Sequence, residues 1–259
     1  MSRVIVWFSC GAASAAASKL ASDKYGSELE ICYCDTLKYE HPDNMRFLRD
    51  VETWIGRPIK LLKSEKYTDI YDVFDKTGWL VGVGGARCTT ELKKNVRKAY
   101  QRTDDIHVFG FTADEQHRVD RFWKENPELF AEFPLIEHGV TKSECHRRIR
   151  EAGIELPAMY RMGYRNNNCI GCVKGGLGYF RAIRDDFPAQ FERLAQAEDK
   201  VFFLLPNSTT IRFESRDAPF FVEAMKKKSP NAKVVVQNAQ GDPSRQQRLV
   251  EDAISQGAK

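Results

Sequence analysis

Val4-Ile5-Val6-Trp7-Phe8-Ser9-Cys10-Gly11-Ala12-Ala13-Ser14, running on into Ala15 to Leu20, is the stretch whose reading decides the fold. Five consecutive apolar residues, β-branched in part, read as a strand buried on both faces, as the centre of a parallel sheet requires. Small residues then allow a tight turn, and Ala15 to Leu20 favour helix. Strand, small-residue turn and helix make the first half of a βαβ unit.

Working outward, a second strand, Glu30 to Cys34, ends at Asp35-Thr36. Pro42-Asp43-Asn44 leads into a helix with apolar residues at Met45, Phe47, Leu48, Val51 and Trp54, and a third strand, Pro58 to Leu62, follows Gly56. The glycine-rich Gly82 to Cys88 delivers Cys88 to the start of a basic helix, Thr89 to Tyr100. A fourth strand, Ile106 to Gly110, precedes the polar stretch Phe111 to Arg118. Pro134-Leu135-Ile136 reads as another short strand and Lys142 to Ala152 as another helix. This alternation predicts an α/β, Rossmann-like fold: a mostly parallel sheet with helices on both faces. From about residue 200 the pattern changes. Val201 to Leu205, Thr209 to Phe213 and Val234-Val235-Val236 read as short strands, and the end is polar. The expected organisation is one domain over 1–200 and a small C-terminal α/β appendage with a polar tail over 201–259.

Bulk properties narrow the class. The 259 residues are 42% hydrophobic and 29% charged, with a mean hydropathy of −0.49. No run approaches the roughly 18–20 apolar residues that span a bilayer, and the N-terminus lacks the longer apolar core of a secretory signal. No membrane partner and a cytoplasmic location are therefore expected. The net charge of +4 is too mild to imply nucleic-acid binding alone, although basic clusters such as Lys93 to Lys98 and Lys226-Lys227-Lys228 keep that partner open. Seven cysteines, an odd number in a chain without secretory features, favour metal or redox work over a disulfide framework.

Three motifs carry chemistry. A phosphate sits well where a strand hands over to a helix, because free backbone N–H groups and the helix N-terminus favour an anion. Here the small residues at Gly11 and Ala12 allow close approach, and Ser9 and Ser14 offer hydroxyls, although many Rossmann-like proteins have small residues at this turn. Cys169-Ile170-Gly171-Cys172 lies in a glycine-flanked loop where two thiolates can face one centre. Cys88 precedes Cys169 by 81 positions at a loop-to-helix junction, where a helix N-terminus would stabilise its thiolate. Three ligands without a nearby fourth cysteine suit a cluster with one open iron, or a zinc completed by another group; a redox pair is the other reading. Finally, Arg87, Lys93, Arg118, Arg121, Arg161, Arg165 and Lys174 lie on loops. On this architecture loops at strand C-terminal ends converge on a ligand crevice, where arginine forks suit phosphate or sulfate.

Taken together, residues 4 to about 180 resemble the phosphoadenosine phosphosulfate reductase family, within the wider PP-loop, adenine nucleotide alpha hydrolase-like superfamily. Ser9 to Ser14 sits where that family's phosphate loop sits. Asp35-Thr36 with Pro42-Asp43-Asn44 resembles the segment after its second strand, and Gly110, Glu115, Gln116, Arg118 and Arg121 resemble its substrate-side turn. Pro134-Leu135-Ile136 followed by Pro157, Tyr160, Gly163-Tyr164 and Cys169-x-x-Cys172 is similar to the run that closes its nucleotide site. In cluster-bearing members two adjacent cysteines precede the Cys-x-x-Cys; here Cys88 keeps that place, followed by Thr89. The resemblance implies an adenine nucleotide (PAPS, APS or ATP, with Mg²⁺ where ATP is used) contacting Ser9, Gly11, Ala12, Ser14, Asp35, Thr36, Gly110, Arg121 and Lys174. It also implies a [4Fe-4S] cluster on Cys88, Cys169 and Cys172.

Two departures shape the expected activity. The loop lacks the aspartate and second glycine of the usual Ser-Gly-Gly-x-Asp-Ser, which leans away from ATP cleavage and toward sulfonucleotide reductases. Those enzymes, however, carry a catalytic cysteine near the C-terminus, and this chain has no cysteine after Cys172. Sulfonucleotide reduction is the leading expectation, with Cys10 and Arg118 in catalytic roles and a thiol or sulfur donor as partner. The alternative is ATP-dependent thiolation of tRNA, DNA or a small molecule through an open iron. A third reading is a non-catalytic nucleotide-binding protein stapled by zinc. A homodimer is compatible with the sequence without being required by it.

Overall fold

The computed structural model describes residues 2–82 and 85–198, with residues 223 and 248 as single helical positions. The appendage and tail expected beyond residue 200 lie outside the described residues, apart from those two positions. A five-stranded sheet has the order β3-β2-β1-β6-β7, every neighbouring pair parallel. Its strands are β1 (Val4–Phe8), β2 (Leu29–Cys34), β3 (Ile59–Leu62), β6 (Ile106–Val108) and β7 (Phe130–Glu132); β4 (Val81–Gly82) and β5 (Gly85–Ala86) form a separate small hairpin. The helices are α1 (Ala12–Tyr25), α2 (Asn44–Ile55), α3 (Ile70–Thr77), α4 (Arg87–Thr89), α5 (Asn95–Tyr100), α6 (Gln116–Glu125), α7 (Pro134–Glu137), α8 (Lys142–Glu151), α9 (Ala158–Arg161), α10 (Leu177–Asp186) and α11 (Pro188–Glu198). This is the expected α/β, Rossmann-like class, with helices on both sides of the sheet.

β1 is buried along its whole length because alternate side chains feed two different cores. Val4, Val6 and Phe8 join the cluster containing residues of α1, α2 and α8, whereas Ile5 and Trp7 pack with Cys32, Cys34 and Val96 on the side of α5. Small residues let α1 lie close to the sheet: Ala12, Ser14, Ala15, Ala16, Ala17, Ser18 and Ala21 are all buried. Helix ends follow local chemistry. Gly56 (φ 72°) and Gly78 (φ 59°) close α2 and α3 in the left-handed region, where a Cβ would be strained, and Asp69 caps α3 by accepting from the N–H of Tyr71 and Asp72.

Two expectations change, and one stretch gains an element. Pro134-Leu135-Ile136 is not a strand but the start of α7; proline presets φ for a first helical turn, and the strand there is the preceding β7. The polar stretch Phe111 to Arg118, given no element from sequence, takes a definite form. Thr112 and Glu115 form a capping box on a 3₁₀ turn that runs into α6. The basic helix after Cys88 is not regular: a π-helical turn at Thr90–Lys94 separates α4 from α5, a distortion frequent at functional sites.

Candidate functional site

The chain leaves β1 toward β2 on one side and returns later to β6 on the other, so strand order reverses between β1 and β6. Crevices form at such switch points, outside the carboxyl ends of the strands. A cavity of about 960 Å³ lies here, walled by the turn after β1, the turn after β6, the helix after Cys88 and the Cys169–Cys172 loop. Of the residues singled out from sequence, Ser9, Gly11, Ser14, Thr36, Gly110, Arg118, Arg121, Lys174, Cys88, Cys169 and Cys172 all line it.

The turn after β1 is held from within. The Ser14 hydroxyl accepts from the Ser9 N–H at 3.0 Å and donates to the Gly11 carbonyl at 2.9 Å, and the Ser9 hydroxyl reaches Ser14 Oγ at 3.1 Å. Cys10 takes φ 54°, the sole positive φ outside glycine among the described residues. Its side chain turns into the core, 0% exposed, with Sγ 3.9 Å from the Asn44 carbonyl, and burial, helped by Glu40, pushes the thiol well above its ordinary range. Cys10 therefore shapes the turn and does not line the cavity, so the catalytic role expected of it has no geometric basis. Ala12 is likewise buried and acts through its backbone. Asp35 is not in the cavity wall; it accepts from the Leu37 N–H at 3.1 Å and pairs with Lys63 at 3.6 Å.

Gly110 plays a steric part. A Cβ there would stand 2.7 Å from Ser14 Cα and 2.9 Å from the Ala13 carbonyl carbon and oxygen, so only glycine lets the end of β6 meet the turn after β1. Beyond it, Arg118 lies over the Phe111 ring, 4.1 Å from its centroid, and is tied to Glu115. Arg121 is exposed and pairs loosely with Glu125 at 3.8 Å. Arg87 and Arg161 belong elsewhere, pairing with Glu91 and with Asp43 and Glu155.

No family model and no curated protein matches this sequence.

Cys88, Cys169 and Cys172 face one chamber despite their distance in sequence, and their charges are felt mutually. Burial pushes the Cys169 thiol up to about 12, opposed mainly by Lys93. Burial, then Cys172, also raises the Cys88 thiol, outweighing Lys93, Lys174 and the Thr89 N–H; the helix start alone does not depress it, contrary to expectation. Among the described residues no group of three His, Cys, Asp or Glu is arranged to hold a metal ion.

The Cys-x-x-Cys loop is clamped by a residue that sequence reading missed. Tyr179, on α10, accepts from the N–H of Gly171 and of Cys172, each at 3.1 Å, and donates to the Cys169 carbonyl at 2.7 Å. Its ring fills the space at Gly175, where a Cβ would collide with it at 2.1 Å. Gly171 supplies a left-handed φ of 77° between the two cysteines. No local signal marks Tyr179, because its partner loop is placed by tertiary packing.

Lys93, on the π-helical turn, also lines the cavity. Burial disfavours its charge, but Cys169, Glu40, Cys34 and Cys172 outweigh that and hold the ammonium above its ordinary value. Arg97 adds a second cation, with Phe109 and Phe122 rings 5.4 and 5.8 Å from its guanidinium carbon. Buried Glu40 accepts from Thr36 Oγ1 and Asn44 Nδ2, both at 2.7 Å. Opposite the glycine-bearing turn, the Tyr160 hydroxyl faces the N–H groups of Ala12 and Asn167. A chamber with hydroxyls at a strand-to-helix turn, several cations and aromatic walls can bind an anion attached to a flat ring.

Proposed function

We propose that this chain binds an adenine nucleotide beside an iron–sulfur cluster and acts on sulfur attached, or to be attached, to that nucleotide's chemistry, with sulfonucleotide reduction as the leading reaction. The observation that carries this reading is the single cavity in which the Ser9–Ser14 turn meets Cys88, Cys169 and Cys172. The donor set fits a [4Fe-4S] cluster: three cysteines from two separate loops line one chamber, with Lys93 at hand to offset the anionic charge that thiolates bring. Such a cluster supplies a Lewis-acidic iron with one position not filled by cysteine.

The chain's own residues divide the remaining work. The turn after β1 presents helix N-terminal dipoles and serine hydroxyls to a phosphate, while Arg118 and Arg121 on one wall and Lys174 on another offset the charge of a sulfate. Aromatic walls at Phe8, Tyr33 and Phe109 exclude water from the ring-binding side. Reduction needs a thiol to attack the sulfur and expel the nucleotide's phosphate oxygen. With Cys10 buried, that thiol must come from a donor molecule entering the cavity.

The same burial of Cys10 favours a second reading, in which ATP activates an oxygen of tRNA, DNA or a small molecule and sulfur displaces it. The two readings separate cleanly. Protein purified without oxygen is assayed for iron and acid-labile sulfide, then incubated with PAPS or APS and a dithiol. Sulfite release supports reduction; ATP conversion to AMP and pyrophosphate that requires an acceptor supports transfer. A colourless protein carrying stoichiometric zinc removes both and leaves a nucleotide-binding protein stapled by zinc.

A further inference from the structure

Gly11 has no conformational need to be glycine. It precedes α1 at φ −101° and ψ 156°, extended backbone that any residue adopts. What its missing side chain leaves is space. A Cβ there would stand 3.4 Å from the Tyr160 hydroxyl and 3.8 Å from Ser9 Oγ, with no other heavy atom within 4 Å apart from its own chain neighbours. Gly11, Ser9 and Tyr160 all line the cavity, so its wall holds a methyl-sized hollow bordered by two hydroxyls. The protons around this hollow can be traced. Ser14 gives its proton to the Gly11 carbonyl at 2.9 Å, and Ser9 gives its own to Ser14 Oγ at 3.1 Å. Tyr160 differs: its oxygen faces the N–H groups of Ala12 and Asn167, which can only donate, and its proton has no acceptor among the described residues. An oxygen that accepts from N–H groups is left with a polarised proton to give.

We propose that Tyr160 is a specificity-determining contact for the ligand's anionic group, donating its hydroxyl proton to a phosphate oxygen seated in the hollow at Gly11. The inference rests on the nucleotide reading above and deepens it. An oxygen at the vacant Cβ position lies 3.4 Å from the phenol, and a shift of about 0.7 Å toward it reaches the roughly 2.7 Å of an O–H···O⁻ bond. The start of α1 supplies backbone N–H groups to the same anion. Ser9 can turn its proton to the ligand only by giving up its bond to Ser14, whereas Tyr160 gives up nothing. Its ring is also held in place. The His146 ring lies 4.6 Å away, the Lys142 ammonium is 5.5 Å from the ring centroid, and the Tyr160 N–H donates to the Pro157 carbonyl at 3.0 Å. The phenol therefore needs little ordering when the anion arrives.

The test is a double-mutant binding cycle on the full-length protein. Calorimetry measures AMP on the wild type, Tyr160→Phe, Gly11→Ala and the double variant. Tyr160→Phe removes one oxygen and keeps the ring, so AMP should bind on the order of 10-fold more weakly. Gly11→Ala puts a methyl where the phosphate oxygen would sit, at ordinary contact distance from both hydroxyls and on backbone that alanine adopts freely. It should weaken AMP by at least as much while the ligand-free protein keeps its melting temperature. Both changes act on one oxygen, so the double variant should lose no more than Gly11→Ala alone. AMP bound equally well by the wild type and Tyr160→Phe overturns the proposal and leaves nucleotide binding intact. So does full AMP affinity in Gly11→Ala, and so do additive losses in the double variant, which would mark the phenol as a structural prop. Failure of the wild type to bind AMP at all overturns the nucleotide reading together with this one. Should Gly11→Ala not fold, the comparison of Tyr160→Phe with the wild type decides alone.

Discussion

Gly110→Ala offers the sharpest test of how the phosphate-binding turn is built. The added Cβ would lie 2.7 Å from Ser14 Cα, where ordinary contact begins at 3.4 Å, so the two backbones must part by about 0.7 Å. All three of its nearest atoms are backbone, so no side-chain rotation relieves the clash. Overpacking of this kind costs about 1–3 kcal/mol, and each kcal/mol lowers the melting temperature by about 2–4 °C in a protein of this size. The displacement falls on Ala13 and Ser14, so nucleotide affinity should drop by more than the stability loss explains at temperatures where the variant is fully folded. Thermal unfolding and calorimetric titration with AMP measure the two effects. Gly178→Ala is the control: it lies in α10 with nothing within 4 Å of its Cβ position, and removing a helical glycine should stabilise by about 0.5–1 kcal/mol. An unchanged melting temperature and unchanged AMP affinity in Gly110→Ala would refute the close approach of β6 to the turn.

Tyr179→Phe removes three hydrogen bonds from the Cys169–Cys172 loop and should destabilise it by about 1–3 kcal/mol, seen as faster alkylation of Cys169 and Cys172 in metal-free protein with little change in Cys88. Cys169→Ala should lose most of the bound iron on anaerobic purification while the far-ultraviolet circular dichroism persists; full iron retention would remove Cys169 from the ligand set. Buried His107, whose Nδ1 accepts from the Trp7 indole at 3.1 Å, is held down to about 4, first by burial and then by Arg97. Its folded value lies below the unfolded 6.5, so the unfolded chain binds the extra proton: the stability is fully present above about pH 6.5 and is lost as pH falls toward 4. His107→Gln should flatten urea-unfolding stability across that window, and an unaltered slope would count against a buried neutral imidazole.

Much of the fold was legible because its signals are local. Val4 to Phe8 could be only a strand buried on both faces, and the small residues from Gly11 to Ser18 declared a helix pressed close to a sheet. Pro134 misled for a local reason too, since a short apolar run after proline suits a strand or one helical turn equally until its neighbours are placed. The cysteines divide along the same line. Cys169 and Cys172 announce themselves by spacing, but the burial of Cys10 depends on the positive φ of its own turn and on the Asn44 carbonyl supplied by α2.

By itself, the sequence determined β1, β2, β3 and β6, the helices α1, α2 and α8 between and after them, and the turn after β1, because these depend on steric preferences within a few residues. Only the tertiary structure decided that Cys88 shares a chamber with Cys169 and Cys172, that Tyr179 clamps their loop, and that Asn167 turns its amide nitrogen to the Cys10 carbonyl. The first and last of these depend on the reversal of strand order at β1, which brings together backbone separated by 81 residues at Cys88 and Cys169 and by 157 at Cys10 and Asn167, and no local preference encodes a distance of that kind.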